Sequence, residues 1–244
     1  RVTGVQTCAL PILSREEITM KRCLLVGAAP STGQGLAYIL ETQSFDAVYA
    51  VDGGYAEVTA RAITPDAVFG DFDSLGTTPC HPEVYEYDTH KDFTDMDLAI
   101  HHAIAKGYEE LVVCNAFVGR LDHTIGNMQL LIQAASQGVC IWGIEEDEAI
   151  APLVAPGPFS SLSFKEGAQG VCSVLSHSDK AEGICEEGLE WNLDNATGVN
   201  RALWGISNEF KGVPARISLA HGSLWVTFPL EELSRAYYDR LSNV

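Results

Sequence analysis

The sequence has few basic residues: 15 Lys and Arg stand against 33 Asp and Glu, a formal net charge of -18. That balance excludes a broad nucleic-acid or anionic-membrane surface, since both need Lys/Arg patches. It leaves a nucleotide open as a ligand, because a bound cation can reverse the local field. No apolar run approaches the roughly 20 residues of a membrane-spanning helix. The 7 cysteines include no CxxC pair. Cys23, Cys114, Cys140 and Cys172 lie within apolar strand-like runs and read as small buried hydrophobes in a reducing, cytoplasmic compartment. There is no Walker-type phosphate loop and no HRD catalytic loop with a matching kinase Gly-rich loop. Gly27-Ala-Ala-Pro-Ser-Thr-Gly33 lacks the GxGxxG pattern of a dinucleotide loop. No internal repeat or low-complexity tract interrupts the chain.

What is present is enough for a full core: 46% of the 244 residues are hydrophobic, which argues against disorder. Residues 1–12 (RVTGVQTCALPI) resemble the translation of a sequencing-library adapter, and residues 1–19 are set aside as a non-native leader, with Met20 the expected start. The competing reading is a signal peptide, but its apolar stretch is short, interrupted by Pro11, and followed by no small-residue cleavage site. From Met20 strand and helix signals alternate. Apolar runs at 23–29, 47–51, 67–69, 111–114 and 139–142 read as strands. Helical spacing covers 35–41, 55–62, 94–106 and 124–137. From Glu148 short strand-like runs recur between Gly, Pro, Ser and Asp turns, and a terminal helix is expected over 230–242. The expected fold is α/β: an N-terminal Rossmann-like, mostly parallel sheet domain over 20–147, then a small all-β, sandwich-like domain over 148–244.

Four aspartates in two short clusters carry the chemistry. Gly70-Asp71-Phe72-Asp73-Ser74 follows an apolar strand, and Lys91-Asp92-Phe93-Thr94-Asp95 opens a helix. Carboxylates gathered this densely at element ends call for a hard cation such as Mg²⁺, which usually arrives with a phosphate. Asp92 and Asp95 lie side by side in a first helical turn, although Asp92 or Thr94 as an N-cap explains that pair equally well. Asp52-Gly53-Gly54 also follows a strand, and in an open parallel sheet ligands bind beyond the strands' carboxyl ends, where glycine lets a backbone approach closely. Gly119-Arg120-Leu121-Asp122-His123 precedes a helix. Arg120 can fork onto phosphate oxygens, and Asp122 can accept a proton or orient a hydroxyl. His123 is a donor or a capping residue, and Asn127, a turn later, reads as structural. In the β region, Trp191 offers a flat surface to an aromatic heterocycle, while Ser207 and Asn208 offer hydrogen bonds to ring nitrogens. A core tryptophan and a polar turn would leave the same pattern.

In this order VDGG (51–54), GDFDS (70–74), KDFTD (91–95), GRLDH (119–123), Asn127 and GISNEF (205–210) resemble the thiamine pyrophosphokinase family, and the resemblance covers nearly everything from Met20 onward. It implies transfer of pyrophosphate from ATP to the thiamine hydroxyl, releasing AMP, in a homodimer whose substrate site is shared between subunits. It implies that Asp71, Asp73, Asp92 and Asp95 hold Mg²⁺ and the triphosphate, that Arg120 contacts phosphate, and that Asp122 lies near the thiamine hydroxyl. Asp52, Gly53, Gly54, Lys91, Thr94 and His123 fall to the nucleotide site, and Ser207, Asn208 and Trp191 to thiamine. Two departures stand out. The approach to Arg120 reads Asn115-Ala116-Phe117-Val118-Gly119 where the family is Gly-rich, and the first strand ends Gly-Ala-Ala-Pro where a second glycine is typical. Two other functions share some of these features: a metal-dependent glycosyl or nucleotidyl transferase using Asp71 and Asp73, and a non-catalytic thiamine or nucleotide sensor.

Overall fold

The computed structural model describes residues 20–71, 81, 83–86 and 93–239. Strand and helix alternate first: β1 (Arg22–Val26), α1 (Gln34–Thr42), β2 (Ala47–Val51), α2 (Gly54–Ala60), β3 (Ala67–Gly70), β4 (Val84–Glu86), α3 (Asp95–Ala105), β5 (Glu110–Cys114), α4 (Leu121–Ser136) and β6 (Cys140–Glu145). Then come β7 (Glu148–Ala155), β8 (Ser161–Phe164), β9 (Val171–Ser176), β10 (Ala181–Glu187), β11 (Leu193–Gly198), β12 (Asn208–Glu209), β13 (Ala215–Ser218) and β14 (Gly222–Pro229). A 3₁₀ turn over Leu230–Ser234 and β15 (Ala236–Tyr238) complete the described chain.

The apolar runs of the first half become parallel strands because both their faces are covered. Cys23, Leu24, Leu25 and Val26 are fully buried in succession, as are Leu111 and Val112, the pattern of strands flanked by helices on either side. Their order is β6-β5-β1-β2-β3-β4. The chain builds outward from β1 to β4, then returns to add β5 and β6 on the other side of β1. Strand order therefore reverses between β1 and β5, and that reversal opens a crevice at their carboxyl ends. The helix α3 buries Met96, Ala99, Ile100 and Ala103, positions that share one helical face. Its start is fixed by Thr94, whose side chain accepts a hydrogen bond from the Asp97 N–H at 3.2 Å.

Pairing continues across residue 147. A tight turn with Glu146 at φ 47° sends β7 back antiparallel to β6. β7 then pairs with β14 over eight residues, from Gly222 opposite Ala155 to Pro229 opposite Glu148. The result is a ten-stranded sheet, ordered β12-β9-β14-β7-β6-β5-β1-β2-β3-β4, and a second, five-stranded antiparallel sheet ordered β11-β10-β13-β8-β15. Aromatic rings join the two sheets, Trp142 lying 4.7 Å from Tyr238 and Phe164 5.0 Å from Phe228, while Phe159 in the β7–β8 connection lies 4.9 Å from Tyr238, centroid to centroid.

Of the terminal helix expected over 230–242, residues 240–242 lie outside the described residues, and among the described ones only Leu230–Ser234 is helical, as a 3₁₀ turn. The next residues form β15, with Ala236 opposite Phe164 and Tyr238 opposite Leu162. Pairing on β8 inserts the Tyr238 ring between Trp142 and Phe159, and its hydroxyl donates to the Pro152 carbonyl at 3.1 Å. That packing outweighs the helical spacing of Leu230 and Leu233, which are buried by the short turn alone.

Candidate active site

A cleft of about 530 Å³ opens at the strand-order reversal, within the size range of a nucleotide or cofactor site. Its walls come from four strand ends: Gly27 to Pro30 after β1, Asp52 after β2, Asp71 after β3, and Asn115 and Ala116 after β5. Thr94 and Asp95 at the start of α3 close one side, and Arg120 and His123 at the start of α4 close another. A second cavity, of about 360 Å³, lies at the opposite ends of the strands around Arg22 and Glu110. There Arg22 is already bonded to Glu110 at 2.9 Å, to the Ser44 carbonyl at 3.0 Å and to Gln43, so the first cleft is the one with groups to offer a ligand.

Each strand end in that cleft has a local cause. Asp52 turns the chain out of β2 at φ 50°, a left-handed conformation that Asp tolerates better than most residues. Its carbonyl accepts from the Tyr55 N–H at 3.1 Å, which starts α2. Gly54 is required there by the protein itself: a Cβ would come within 1.9 Å of the Val26 carbonyl, so this glycine lets α2 sit on β1. Gly53 faces the cleft loop, where its Cβ would stand 3.0 Å from that of Ala28. Of the four clustered aspartates, Asp71 and Asp95 lie on the cleft wall, both partly buried. Lys91, Asp73 and Asp92 fall outside the described residues. Thr94 serves as the N-cap of α3, the capping role that the sequence left open between it and Asp92.

Arg120 and Asp122 meet as a fork: Nε donates to Oδ1 at 3.2 Å and one terminal nitrogen to Oδ2 at 2.7 Å. The Arg120 hydrogen bonds hold the Asp122 carboxyl below the usual carboxylate range, so it stays an anion and an acceptor. The same pairing pushes the guanidinium further up. Both side chains are exposed. An ion pair open to water is weakly held, so Arg120 can exchange Asp122 for phosphate oxygens. The His123 N–H also donates to Asp122, at 3.0 Å.

The other three expected ligand residues lie on the β half, and none is among the described residues lining the cleft. Asn208 is buried, and its amide is fully engaged. Nδ2 donates to Glu186 Oε2 at 2.9 Å and to the Trp191 carbonyl at 2.7 Å. Oδ1 accepts from the N–H groups of Trp191 at 3.1 Å and Glu209 at 2.9 Å. Two donors and two lone pairs exhaust an amide, so Asn208 clamps the Trp191 backbone, and Trp191 itself is 60% exposed. Ser207 is exposed at φ 62°, and its N–H donates to Ser173 Oγ at 3.1 Å. Trp204, by contrast, packs on Gly198, where a Cβ would lie 1.8 Å from its ring.

Comparison with known families covers both halves. One family model, thiamin pyrophosphokinase, catalytic domain, matches residues 39–142. A second, thiamin pyrophosphokinase, vitamin B1 binding domain, matches residues 161–224. Between them they span well over half of the chain. The chain belongs to the thiamine pyrophosphokinase family. The thiamine pyrophosphokinase of Bacillus subtilis (strain 168) is 28% identical over 180 residues, 71% of this chain and 83% of that protein. Thiamine pyrophosphokinase 1 of Oryza sativa subsp. japonica is 25% identical, over 66% of this chain and 65% of its own. The fold matches the crystal structure of the Bacillus subtilis thiamine pyrophosphokinase with a TM-score of 0.73 at 24% identity, covering 86% of this chain and 99% of that one. It matches thiamin pyrophosphokinase from Candida albicans with a TM-score of 0.68 at 15% identity, covering 86% and 89%.

Within this thiamine pyrophosphokinase framework three further residues shape the cleft: the sequence marked Asn115 only as part of a departure before Arg120, and Glu145 and Glu146 not at all. Asn115 turns the chain after β5 at φ 55°, and its amide nitrogen is buried without a partner. Glu145, 8% exposed, accepts from the Ala116 and Phe117 N–H groups. Burial pushes its carboxyl up, and those two hydrogen bonds oppose the shift. Glu146 accepts from Thr32, whose hydrogen bonds hold it below the usual range. A glutamate closing an apolar strand at a ligand-binding edge is the signal that was available for Glu145. Among the described residues no three His, Cys, Asp or Glu side chains stand close enough to hold a metal ion. Asp71 and Asp95 supply hard oxygen donors on the cleft wall, the donor type that Mg²⁺ takes.

Proposed function

We propose that the chain transfers the pyrophosphoryl group of ATP to the thiamine hydroxyl, giving thiamine diphosphate and AMP, at the cleft between β1 and β5. One observation carries this reading. The cleft gathers Asp52, Asp71, Asp95 and Arg120 from four separate elements, all within the span that matches the family's catalytic domain. Asp71, Asp73, Asp92 and Asp95 are read as the residues that would hold Mg²⁺. When bound, Mg²⁺ would neutralise the triphosphate and draw charge from the phosphorus under attack. Asp52, Gly53, Gly54, Lys91, Thr94 and His123 are assigned to the nucleotide. Arg120 leaves Asp122 for phosphate, and Asp122, so released, orients the thiamine hydroxyl. Transfer of this kind relies mainly on positioning and electrostatics.

The β half is read as the thiamine side, with the exposed ring of Trp191 and the hydroxyl of Ser207 facing the pyrimidine and Asn208 holding Trp191 in place. Leu203 and Ile206, in the segment leading to Asn208, are exposed at 84% and 47%. Apolar exposure in this segment supports a homodimer in which one subunit completes the other's site. A cytoplasmic setting agrees with the five described cysteines, all free thiols.

The test incubates the purified chain with thiamine, ATP and Mg²⁺, with and without EDTA, and resolves the products by chromatography. Equal amounts of AMP and thiamine diphosphate, abolished by EDTA, are expected. ADP with thiamine monophosphate would mean that a different phosphorus is attacked. Binding of both substrates without product would favour a sensor, and transfer to some other acceptor a different transferase.

A further inference from the structure

Two consecutive glutamates at the end of β6 reach in different directions, each to one of the loops that wall the cleft. Glu145 Oε2 accepts from the backbone N–H groups of Ala116 at 3.2 Å and Phe117 at 3.0 Å. From α4, Asn127 Nδ2 donates to the Ala116 carbonyl at 2.7 Å, so this loop is gripped on both sides. Glu146 accepts from Thr32 in the loop after β1, at 2.5 Å from its N–H and 2.5 Å from its hydroxyl. The two loops also touch each other. The Ala29 N–H donates to the Asn115 carbonyl at 2.9 Å, and a Cβ on Gly119 would lie 2.8 Å from Pro30. The loop after β5 runs directly into Arg120 and Asp122.

We propose that Glu145 and Glu146 are positioning residues for the pyrophosphoryl transfer: anchored on one strand end, they set the spacing of the two loops across the strand-order reversal, and with it the stance of Arg120 and Asp122. This rests on the functional reading above. Neither glutamate is among the described residues lining the cleft, so they act through the loops. A buried carboxylate is an unfavourable choice for packing alone. It is a good choice for holding two backbone N–H groups, since hydrogen bonds to an ionised acceptor are about twice as strong as neutral ones. Without it both N–H groups would be buried and unsatisfied. A displacement of about 1 Å at a reacting group is enough to cost about 10²-fold in rate.

The test compares wild type with Glu145→Ala, Glu145→Gln and Glu146→Ala. AMP formation is measured against ATP and thiamine concentration, with thermal unfolding and amide hydrogen exchange alongside. Glu145→Ala should lower kcat about 10- to 100-fold and change either KM less than about threefold. The Ala116 and Phe117 amides should exchange faster in a protein still folded at the assay temperature. Glu145→Gln, whose amide oxygen can accept the same two hydrogen bonds, should recover most of the loss. Glu146→Ala should lower kcat by a smaller factor, about tenfold. Folded Glu145→Ala with kcat within threefold of wild type overturns the proposal, as does a loss that Gln does not recover. If Glu145→Ala does not fold, Glu145→Asp carries the test. It keeps the charge but withdraws the oxygen by one methylene, and undiminished kcat there overturns the proposal. An inactive wild-type chain would overturn the functional reading and this proposal together. An active wild type beside undiminished variants would overturn this proposal alone.

Discussion

Asp71 leaves β3 on the cleft wall, where the proposed reading assigns its charge to the metal and phosphate. Asp71→Asn keeps the shape and removes the charge. Turnover should fall by about 10²-fold or more, the scale of losing one preorganised electrostatic contact at a reacting centre, while the unfolding midpoint stays near wild type. Near-wild-type turnover of Asp71→Asn at limiting Mg²⁺ would remove Asp71 from the metal site. Asn115 presents the converse case, an uncharged residue whose backbone conformation is what the site uses. At φ 55° a Cβ without a compensating polar group costs about 1–2 kcal/mol. Asn115→Ala should be about 1–2 kcal/mol less stable than Asn115→Gly in a denaturant titration, since both lose the amide and only alanine keeps the Cβ. Equal losses would show that the left-handed turn is not what Asn115 supports. Asp71 could be recognised in the sequence because carboxylates at strand ends announce themselves. Asn115 could not, because a positive φ leaves no pattern in neighbouring residues.

The segment joining β10 to β11 and the strand β12 make one element pair, fastened by the Asn208 amide. Asn208→Ala would strand the Trp191 N–H and carbonyl together with Glu186, costing about 1–3 kcal/mol. Because the Trp191 ring would lose its mounting, the KM for thiamine should rise several-fold more than the KM for ATP. Equal changes in both would detach Trp191 from the thiamine side. Glu186 gives this clamp a pH signature. Burial raises its pKa, so its contribution to stability is complete below the ordinary glutamate range of about 4.3 and is lost as pH rises through the raised value. Glu186→Gln should therefore be more stable than wild type at neutral pH, with the gain vanishing toward pH 4 in thermal scans. A gain that persists at pH 4 would contradict that origin. Strands such as β1 and β5 were readable because unbroken apolar runs have few alternatives. The carboxyl end of β6 was not, because Gly143 and Glu145 break its run. The burial of Glu145 depends on N–H groups nearly thirty residues away. The chain end misled for a related reason, since only the presence of β8 makes 236–238 a strand.

At the scale of the whole molecule, the two halves matched by separate family models share one sheet and one core. β14 pairs with β7 on one edge and β9 on the other. Trp225 on β14 donates its indole N–H to the Met128 carbonyl of α4 at 3.1 Å. Tyr238 from the last strand packs on Trp142 of β6. A chain ending at residue 147 would leave Gly143–Glu145 of the β6 edge unpaired and uncover Trp142, an apolar edge of the kind that aggregates. Unfolding should therefore be a single cooperative transition. Two tryptophans near the junction, Trp142 and Trp225, report on it by fluorescence, while far-ultraviolet circular dichroism reports on both sheets. The two urea curves should superimpose, and the chain cut at 147 should not give a folded, soluble product. Separate midpoints would mean that the α/β half holds itself together without β7 and β14. The cleft between β1 and β5 would then owe its shape to that half alone.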